Sequence, residues 1–317
     1  MSDSTSRPAL VLFAAGAARW PHWEGPLRAA LKAAGVAADL VTEAAPEEVD
    51  FIVYAPGGDT PPDFTAFTRC RAVLGLWAGV ERIVTNATLS QPLCRMVDPG
   101  LTQGMVEYVC AHALRLHLGI DALLRAQDGR WNHEAPPLAG ERPVAVLGLG
   151  ALGTACARAL AGLGFPVMGW SRRQKTLPGI DCHQGRQGLQ AVLSRAQIVV
   201  TLLPATAQTE NLLDTETLGW LPHGAAIINP GRGTLIDDAA LLAALASGRV
   251  GQATLDVFRV EPLPPDHPYW GHPRVTVTPH IAAETRPATA APVIAENIRR
   301  GLAGEPLLHL VDRQAGY

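Results

Sequence analysis

Arg232, Glu261 and His280 are the residues with which this chain could do chemistry. They stand in the loops that follow three short apolar runs, Ala225–Asn229, Ala253–Val257 and Val275–Thr278, each of the kind that makes a buried strand. The loops read Pro230-Gly231-Arg232-Gly233, Phe258-Arg259-Val260-Glu261 and Pro279-His280. An arginine fork can clamp a carboxylate and the carbonyl oxygen beside it. A histidine can hand a proton to that oxygen. A glutamate bonded to the second ring nitrogen would orient the imidazole and favour its cationic form near neutral pH. Together they suit hydride delivery to C2 of a 2-keto acid with proton transfer to its carbonyl. Taken singly, each reads as a surface charge or a satisfied structural group; it is their convergence at strand ends that points to chemistry.

A hydride donor has to be held, and residues 143–175 carry the signal for one. Val144, Ala145, Val146 and Leu147 form an apolar run followed at once by Gly148, Gly150 and Gly153, a G-x-G-x-x-G between strand and helix. The first glycine permits a tight turn, the second lets the backbone approach a pyrophosphate, and the third lets helix and strand pack closely. A helix from Ala151 to Leu163, beginning Ala151-Leu152-Gly153, would aim its unpaired N–H groups at the phosphates.

After a second strand, Phe165–Trp170, the chain reads Ser171-Arg172-Arg173-Gln174-Lys175. An NAD site carries a carboxylate near this position for the ribose 2′-hydroxyl, whereas an NADP site carries arginine for the 2′-phosphate. Here there is no carboxylate; Arg172, Arg173 and Lys175 bring three cations, and the Ser171 hydroxyl is an added donor. The cofactor reading is therefore NADP, with NADPH preferred over NADH.

Composition narrows the class. At 317 residues and 48% apolar, the chain is long enough for two domains of an α/β protein. A net charge of −3 leaves no broad basic surface, so neither nucleic acid nor an anionic membrane is an expected partner. Five scattered cysteines without a C-x-x-C pair read as buried thiols of a reducing, cytoplasmic compartment, with no metal site implied. Arg7 and the apolar run Ala9–Ala18 imitate a short leader, but Asp3 interrupts its basic region, and Ala9–Phe13 reads as a first strand.

The remaining elements must position these loops. Residues 1–102 alternate strands and helices: Ala9–Phe13, a helix near Gly25–Ala34, then Ala38–Val41, Phe51–Tyr54 and Val73–Leu76, a βαβ rhythm that implies a parallel sheet. Its loops Pro56–Pro62 and Trp77-Ala78-Gly79-Val80 fall at strand carboxyl ends, where such sheets hold ligands, and the amides around Gly79 could cradle a carboxylate. One long helix is expected from Gln103 to Arg125, followed by a proline-rich connector, Gly129–Pro143. Beyond the dinucleotide turn, Ile198–Leu203 is a further strand, and a last helix spans Pro287–Leu302.

The segments LGLGALG, LLPATAQT, INPGRG, LDVFRVEPLP and TPHIAAET resemble the successive signatures of the D-isomer-specific 2-hydroxyacid dehydrogenases, in order and spacing. Within that family LWAGVERI, GWSRRQK, HIAAETRPA and VDRQAGY are similar to the bacterial glyoxylate/hydroxypyruvate reductase A group. The resemblance implies a two-domain α/β protein: a Rossmann domain at 103–284 and a flavodoxin-like substrate domain formed by 1–102 with 285–317. It implies that Arg232 binds substrate and that Glu261 and His280 form the acid/base pair. It also implies that Ala78, Gly79 and Val80 offer amides to the carboxylate. Asp256 is implied at the nicotinamide carboxamide, Leu203 and Pro204 beside the cofactor with Thr209 and Pro230 in the flanking loops, and Met105 near the ring. A homodimer joined through the cofactor domains and a cleft hinged near Thr102 and Ala283 complete the picture.

Substrate size stays open: Trp77 could restrict the pocket to glyoxylate and hydroxypyruvate or stack on a bulkier acid such as phenylpyruvate, and Arg286 could meet a polar tail or only solvent. Formate dehydrogenases of this architecture carry Gln where Glu261 stands. A non-catalytic NAD(P)H-sensing protein of the same fold is the alternative from another class. If His280 is the proton donor, reduction slows and oxidation speeds up as pH rises through the imidazole's titration. Initial rates in both directions between about pH 5.5 and 9 test this, and a flat profile that still shows a deuterium isotope effect from labelled cofactor overturns it.

Overall fold

The computed structural model describes residues 7–56, 63–131 and 133–316, so the expected ligand loop Pro56–Pro62 lies outside the described residues beyond Pro56. The chain divides into two compact units, Met1–Leu101 with Glu284–Tyr317, and Thr102–Ala283. The first opens with β1 (Ala9–Ala14), α1 (Trp20–Ala33), β2 (Ala38–Val41), β3 (Phe51–Tyr54), β4 (Ala72–Gly75), α2 (Glu81–Val84) and β5 (Leu93–Cys94). The strands form a parallel sheet in the order β2-β1-β3-β4-β5. The leader-like run is therefore an interior strand, paired on both sides.

Helix α1 starts five residues before the expected Gly25. Pro21 sits in its first turn, where a missing N–H costs nothing, and Trp23, Leu27 and Leu31 form one buried stripe.

The second unit takes up α3 (Pro99–His117), within which the boundary falls, then α4 (Ile120–Arg125), β6 (Val144–Leu147), α5 (Ala151–Gly162), β7 (Val167–Trp170) and β8 (Asp181–His183). It continues with α6 (Gly185–Leu193), β9 (Ile198–Thr201), α7 (Thr215–Gly219), β10 (Ala225–Asn229), α8 (Asp238–Ser247), β11 (Val250–Leu255) and β12 (Val275–Val277). The parallel order is β12-β11-β10-β9-β6-β7-β8. The order reverses between β6 and β9, and ligands of open α/β sheets bind outside the carboxyl ends at such a switch point.

The single helix expected over Gln103–Arg125 is two helices. Gly119 adopts a left-handed φ of +67° and ends the first, while Leu118, Leu123 and Leu124 stay exposed, so no core holds one continuous register. Asp121, in the first turn of α4, takes Arg115 at 2.8 Å and Gln252 at 3.0 Å.

The continuous apolar strands have a simple cause. In β6, Val144 and Val146 enter one core and Ala145 and Leu147 the opposite one; in β3, Phe51 and Val53 face away from Ile52 and Tyr54. Sheets covered on both faces have no polar side to show. The chain returns to the first unit as α9 (Pro287–Ala303), whose Ala290, Ala291, Ile294, Ala295 and Ile298 join the core of α1. Among the described residues no helix is long and apolar enough to cross a membrane.

Burial pushes the thiols of Cys70, Cys94 and Cys156 up to about 12, whereas Cys110 and Cys182 are half-buried. At pH 8 Ellman's reagent is therefore expected to spare those three in the native protein and to count all five only after denaturation. Rapid native reaction at Cys156, read by peptide mapping, would contradict the packing of α5.

Candidate active site

The dinucleotide turn is built by backbone contact. The Leu147 carbonyl at the end of β6 accepts the Leu202 N–H at 2.7 Å, and Gly148, at φ +105°, lies so close that a Cβ there would meet the Leu202 carbonyl at 2.4 Å. A Cβ on Gly153 would fall 1.8 Å from the Gly148 carbonyl. At Gly150, the N-cap of α5, an added Cβ meets nothing within 4 Å. Two glycines are thus required by the fold, while the third opens on free space above a helix start that has no acidic residue in its first turn and begins with Ala151, half-buried Leu152 and Gly153. This is the cradle a pyrophosphate needs.

At the tip of β7, Arg172, Arg173 and Lys175 are exposed cations. They fit a 2′-phosphate in charge, with two differences from expectation. The Lys175 ammonium folds back to donate to the Leu149 carbonyl of the glycine turn. The Ser171 hydroxyl spends its one proton on the Arg173 carbonyl at 2.7 Å, so it shapes the turn and is no free donor.

The Arg232 loop hangs from Asn229. This buried side chain accepts from the Thr201 hydroxyl at 2.6 Å and the Gly231 N–H at 3.1 Å, and donates to the Arg232 carbonyl at 3.0 Å. The glycines beside Arg232 have no room for a side chain: a Cβ on Gly231 would meet the Thr201 carbonyl at 2.7 Å, and one on Gly233 the Phe258 carbonyl carbon at 2.0 Å. Arg232 itself is half-buried and donates to the Gly231 carbonyl at 2.6 Å.

Glu261 and His280, 19 residues apart, meet at 2.8 Å between Oε2 and Nδ1. Glu261 Oε1 takes the Phe258 N–H at 2.9 Å, so both oxygens are placed. A carboxylate only accepts, so Nδ1 carries the hydrogen and Nε2 is left for a reacting group. His280 stands in left-handed conformation, φ +55°, which a non-glycine residue keeps only where its surroundings enforce it.

Asp256 enforces it. Its carboxylate, wholly buried, accepts from the Thr278 hydroxyl at 2.6 Å, the Ile281 N–H at 2.9 Å and the Ala282 N–H at 2.9 Å, while its carbonyl takes the His280 N–H at 2.9 Å. Thr278 is held in turn by the Tyr108 hydroxyl at 2.7 Å. The Asp256 side chain has no exposed surface and holds the loop of His280.

Several side chains around the sheet's carboxyl edge are packed or hydrogen-bonded within the protein. Met105, 5% exposed, packs in the core with Leu149 and Ala282. Leu203 and Pro230 are buried, and the Thr209 hydroxyl closes the turn after β9 by donating to the Pro204 carbonyl at 2.6 Å.

In the first unit, the N–H groups of Ala78, Gly79 and Val80 find no acceptor among the described residues. A small recess is lined there by Tyr54, Pro56, Gly75, Trp77, Gly79, Val80, Ile83 and Leu93. The Trp77 ring lies against the α1 core with the Arg19 guanidinium 5.7 Å from its centroid. Arg286 is exposed, and its carbonyl caps α9 by accepting the Ala290 N–H at 3.0 Å.

Residues 109–282 match the model of the D-isomer specific 2-hydroxyacid dehydrogenase NAD-binding domain. The chain belongs to this family of oxidoreductases. The glyoxylate/hydroxypyruvate reductase A of Salmonella heidelberg is 39% identical over 83% of this chain and 87% of its own. A D-isomer specific 2-hydroxyacid dehydrogenase from Xanthobacter autotrophicus, crystallised with NADPH and MES, superimposes with a TM-score of 0.90 at 42% identity, covering 98% of this chain and all of that one. The NADPH-dependent glyoxylate/hydroxypyruvate reductase of Sinorhizobium meliloti, crystallised with NADP and sulfate, gives 0.84 at 31% over 98% and 100%. The NAD-binding domain of this 2-hydroxyacid dehydrogenase thus contains the glycine turn, Arg232, Glu261 and His280.

Motif reading did not single out the supports Asn229, Gly233, Thr278 and Tyr108. The I-N-P-G-R-G run was the available signal for the first two, and no local signal ties Tyr108 to a residue 170 positions away. For the cofactor cradle, Gly150→Ala should leave the melting temperature within about 3 °C while weakening NADPH at least about tenfold, because its methyl meets only ligand space. Gly153→Ala should cost about 3 kcal/mol of stability or more. Thermal melts with cofactor fluorescence titration separate the two outcomes.

Proposed function

We propose that this chain reduces small 2-keto acids, glyoxylate and hydroxypyruvate, to 2-hydroxy acids with NADPH, as a cytoplasmic homodimer. The observation that carries the reading is the His280–Glu261 bond, a proton donor fixed by a carboxylate at the carboxyl ends of the sheet whose switch point carries the dinucleotide turn. The names of the relatives from Salmonella and Sinorhizobium support the substrate class.

NADPH supplies the hydride. Gly148, Gly150 and Gly153 with the first turn of α5 hold its pyrophosphate, and Arg172 and Arg173 meet its 2′-phosphate. Arg232 clamps the substrate carboxylate and polarises the ketone. His280 delivers the proton from Nε2 to the ketone oxygen, and Glu261 stabilises the imidazolium through Nδ1. The unit formed from both termini acts as the substrate domain, with the amides of Ala78, Gly79 and Val80 as its anion donors. Exposed Leu118, Leu123, Leu124 and Trp131 on and after α3 and α4 support assembly through the cofactor domain.

Initial rates with glyoxylate, hydroxypyruvate, pyruvate and phenylpyruvate, each with NADPH and NADH, test this. We expect glyoxylate and hydroxypyruvate with NADPH to lead, Arg232→Ala to lower kcat/KM at least about a thousandfold, and Arg172→Ala with Arg173→Ala to cost NADPH about tenfold or more while sparing NADH. NADPH binding without turnover of any 2-keto acid would instead favour a sensing protein. Leading phenylpyruvate rates would move the substrate to a bulkier acid.

A further inference from the structure

Arg259 stands two residues before Glu261, in a loop whose other side is the backbone after Arg232. Its Nη2 donates to the carbonyls of Ile236 at 2.7 Å and Thr234 at 3.4 Å, both just beyond the Arg232 loop, and to the Asn211 side chain. Asn211 itself sits at a left-handed φ of +50° and gives its N–H to the Thr234 carbonyl at 2.9 Å, so three segments meet at one guanidinium. Asp238 lies 3.7 Å from Nε and Glu210 3.8 Å from Nη1, which balances the charge of a side chain only 30% exposed. Beside it, Gly233 touches the Phe258–Arg259 backbone.

We infer that Arg259 is a positioning residue that locks the Arg232 loop to the Glu261 loop and so sets the spacing between substrate clamp and proton donor. The inference rests on the catalytic roles proposed above for Arg232, Glu261 and His280. The guanidinium gives Nη2 to the three oxygens of Asn211, Thr234 and Ile236 while Nε and Nη1 face Asp238 and Glu210; a lysine ammonium keeps the charge and donors but gathers them on one atom and loses that spread. Near-attack geometry tolerates small displacements poorly, so loosening the brace acts on the chemical step through Glu261, while cofactor binding at the glycine turn is left alone.

A double-mutant cycle on the full chain reads this directly. Arg259→Ala is expected to lower kcat/KM for glyoxylate about tenfold and Glu261→Gln about a hundredfold, with the double variant also near a hundredfold, because the brace acts through the Glu261 carboxylate. The dissociation constant of NADPH, from cofactor fluorescence, should stay within about twofold throughout. General weakening of the fold predicts a multiplied loss near a thousandfold, and that result overturns the inference, as does an Arg259→Ala enzyme within about twofold of the parent. Should Arg259→Ala not fold, Arg259→Lys replaces it in the same cycle, with an expected loss of about fivefold, again absorbed by Glu261→Gln. If Glu261→Gln itself keeps full turnover, the catalytic reading falls and the positioning role falls with it; a damaged Glu261→Gln beside an unharmed Arg259 variant removes only the brace.

Discussion

The buried carboxylate of Asp256 is the interaction on which the rest of the central unit depends. A charge with no solvent around it is tolerable only when donors surround it, and here the donors are the hydroxyl and amides of residues 278–282. That demand pulls the chain into a tight loop after β12 and holds His280 in a conformation it would not otherwise keep. The imidazole reaches Glu261 because Asp256 has fixed the backbone beneath it. An electrostatic necessity of the core thereby becomes the geometry of the His280–Glu261 pair.

A second constraint is the close approach of backbone to backbone. Gly148 and Gly153 let the turn after β6 press against Leu202, and Gly231 and Gly233 let the Arg232 loop lie between Thr201 and Phe258. Side chains at these four positions would force the loops apart by more than packing can absorb. The glycines therefore do two jobs: around Gly150 they leave room for a ligand, and around Arg232 they remove room so that one loop braces the next. Arg259 adds a polar brace over the same ground.

Parallel topology brings these devices together. Every strand of the second sheet runs the same way, so the loops after β6, β9, β10, β11 and β12 share one edge, and side-chain chemistry can be spread over more than a hundred residues of sequence. The glycine turn stands at the switch point, with Arg232 and His280 following strands on one side and Arg172 and Arg173 following β7 on the other. The Arg232 and His280 loops and the Arg172–Arg173 tip thus belong to opposite flanks of a single sheet.

By itself the sequence determined the α/β class, the glycine turn, the basic tip of β7 and the residues of the Arg232, Glu261 and His280 loops, because apolar strand runs and glycine spacing are local signals. Strands at Phe51–Tyr54 and Ala225–Asn229 were legible to the residue because every position in them is buried, and Ala38–Val41 was legible as well although it is an edge strand with Asp39 exposed. The edge strand Asp181–His183, short and polar, and α8, apolar on every side, carry no such pattern, and the break at Gly119 depends on a core that is absent beneath Leu123 and Leu124. Only the tertiary structure decided that Asp256 faces inward, that Ser171 spends its proton on its own turn, and that Arg259 joins two loops. The first and last are matters of which partner a polar group finds across the chain, and hydrogen bonds between residues 20 to 170 positions apart leave no trace in local spacing, while the Ser171 bond, two residues long, depends on how the fold shapes its turn.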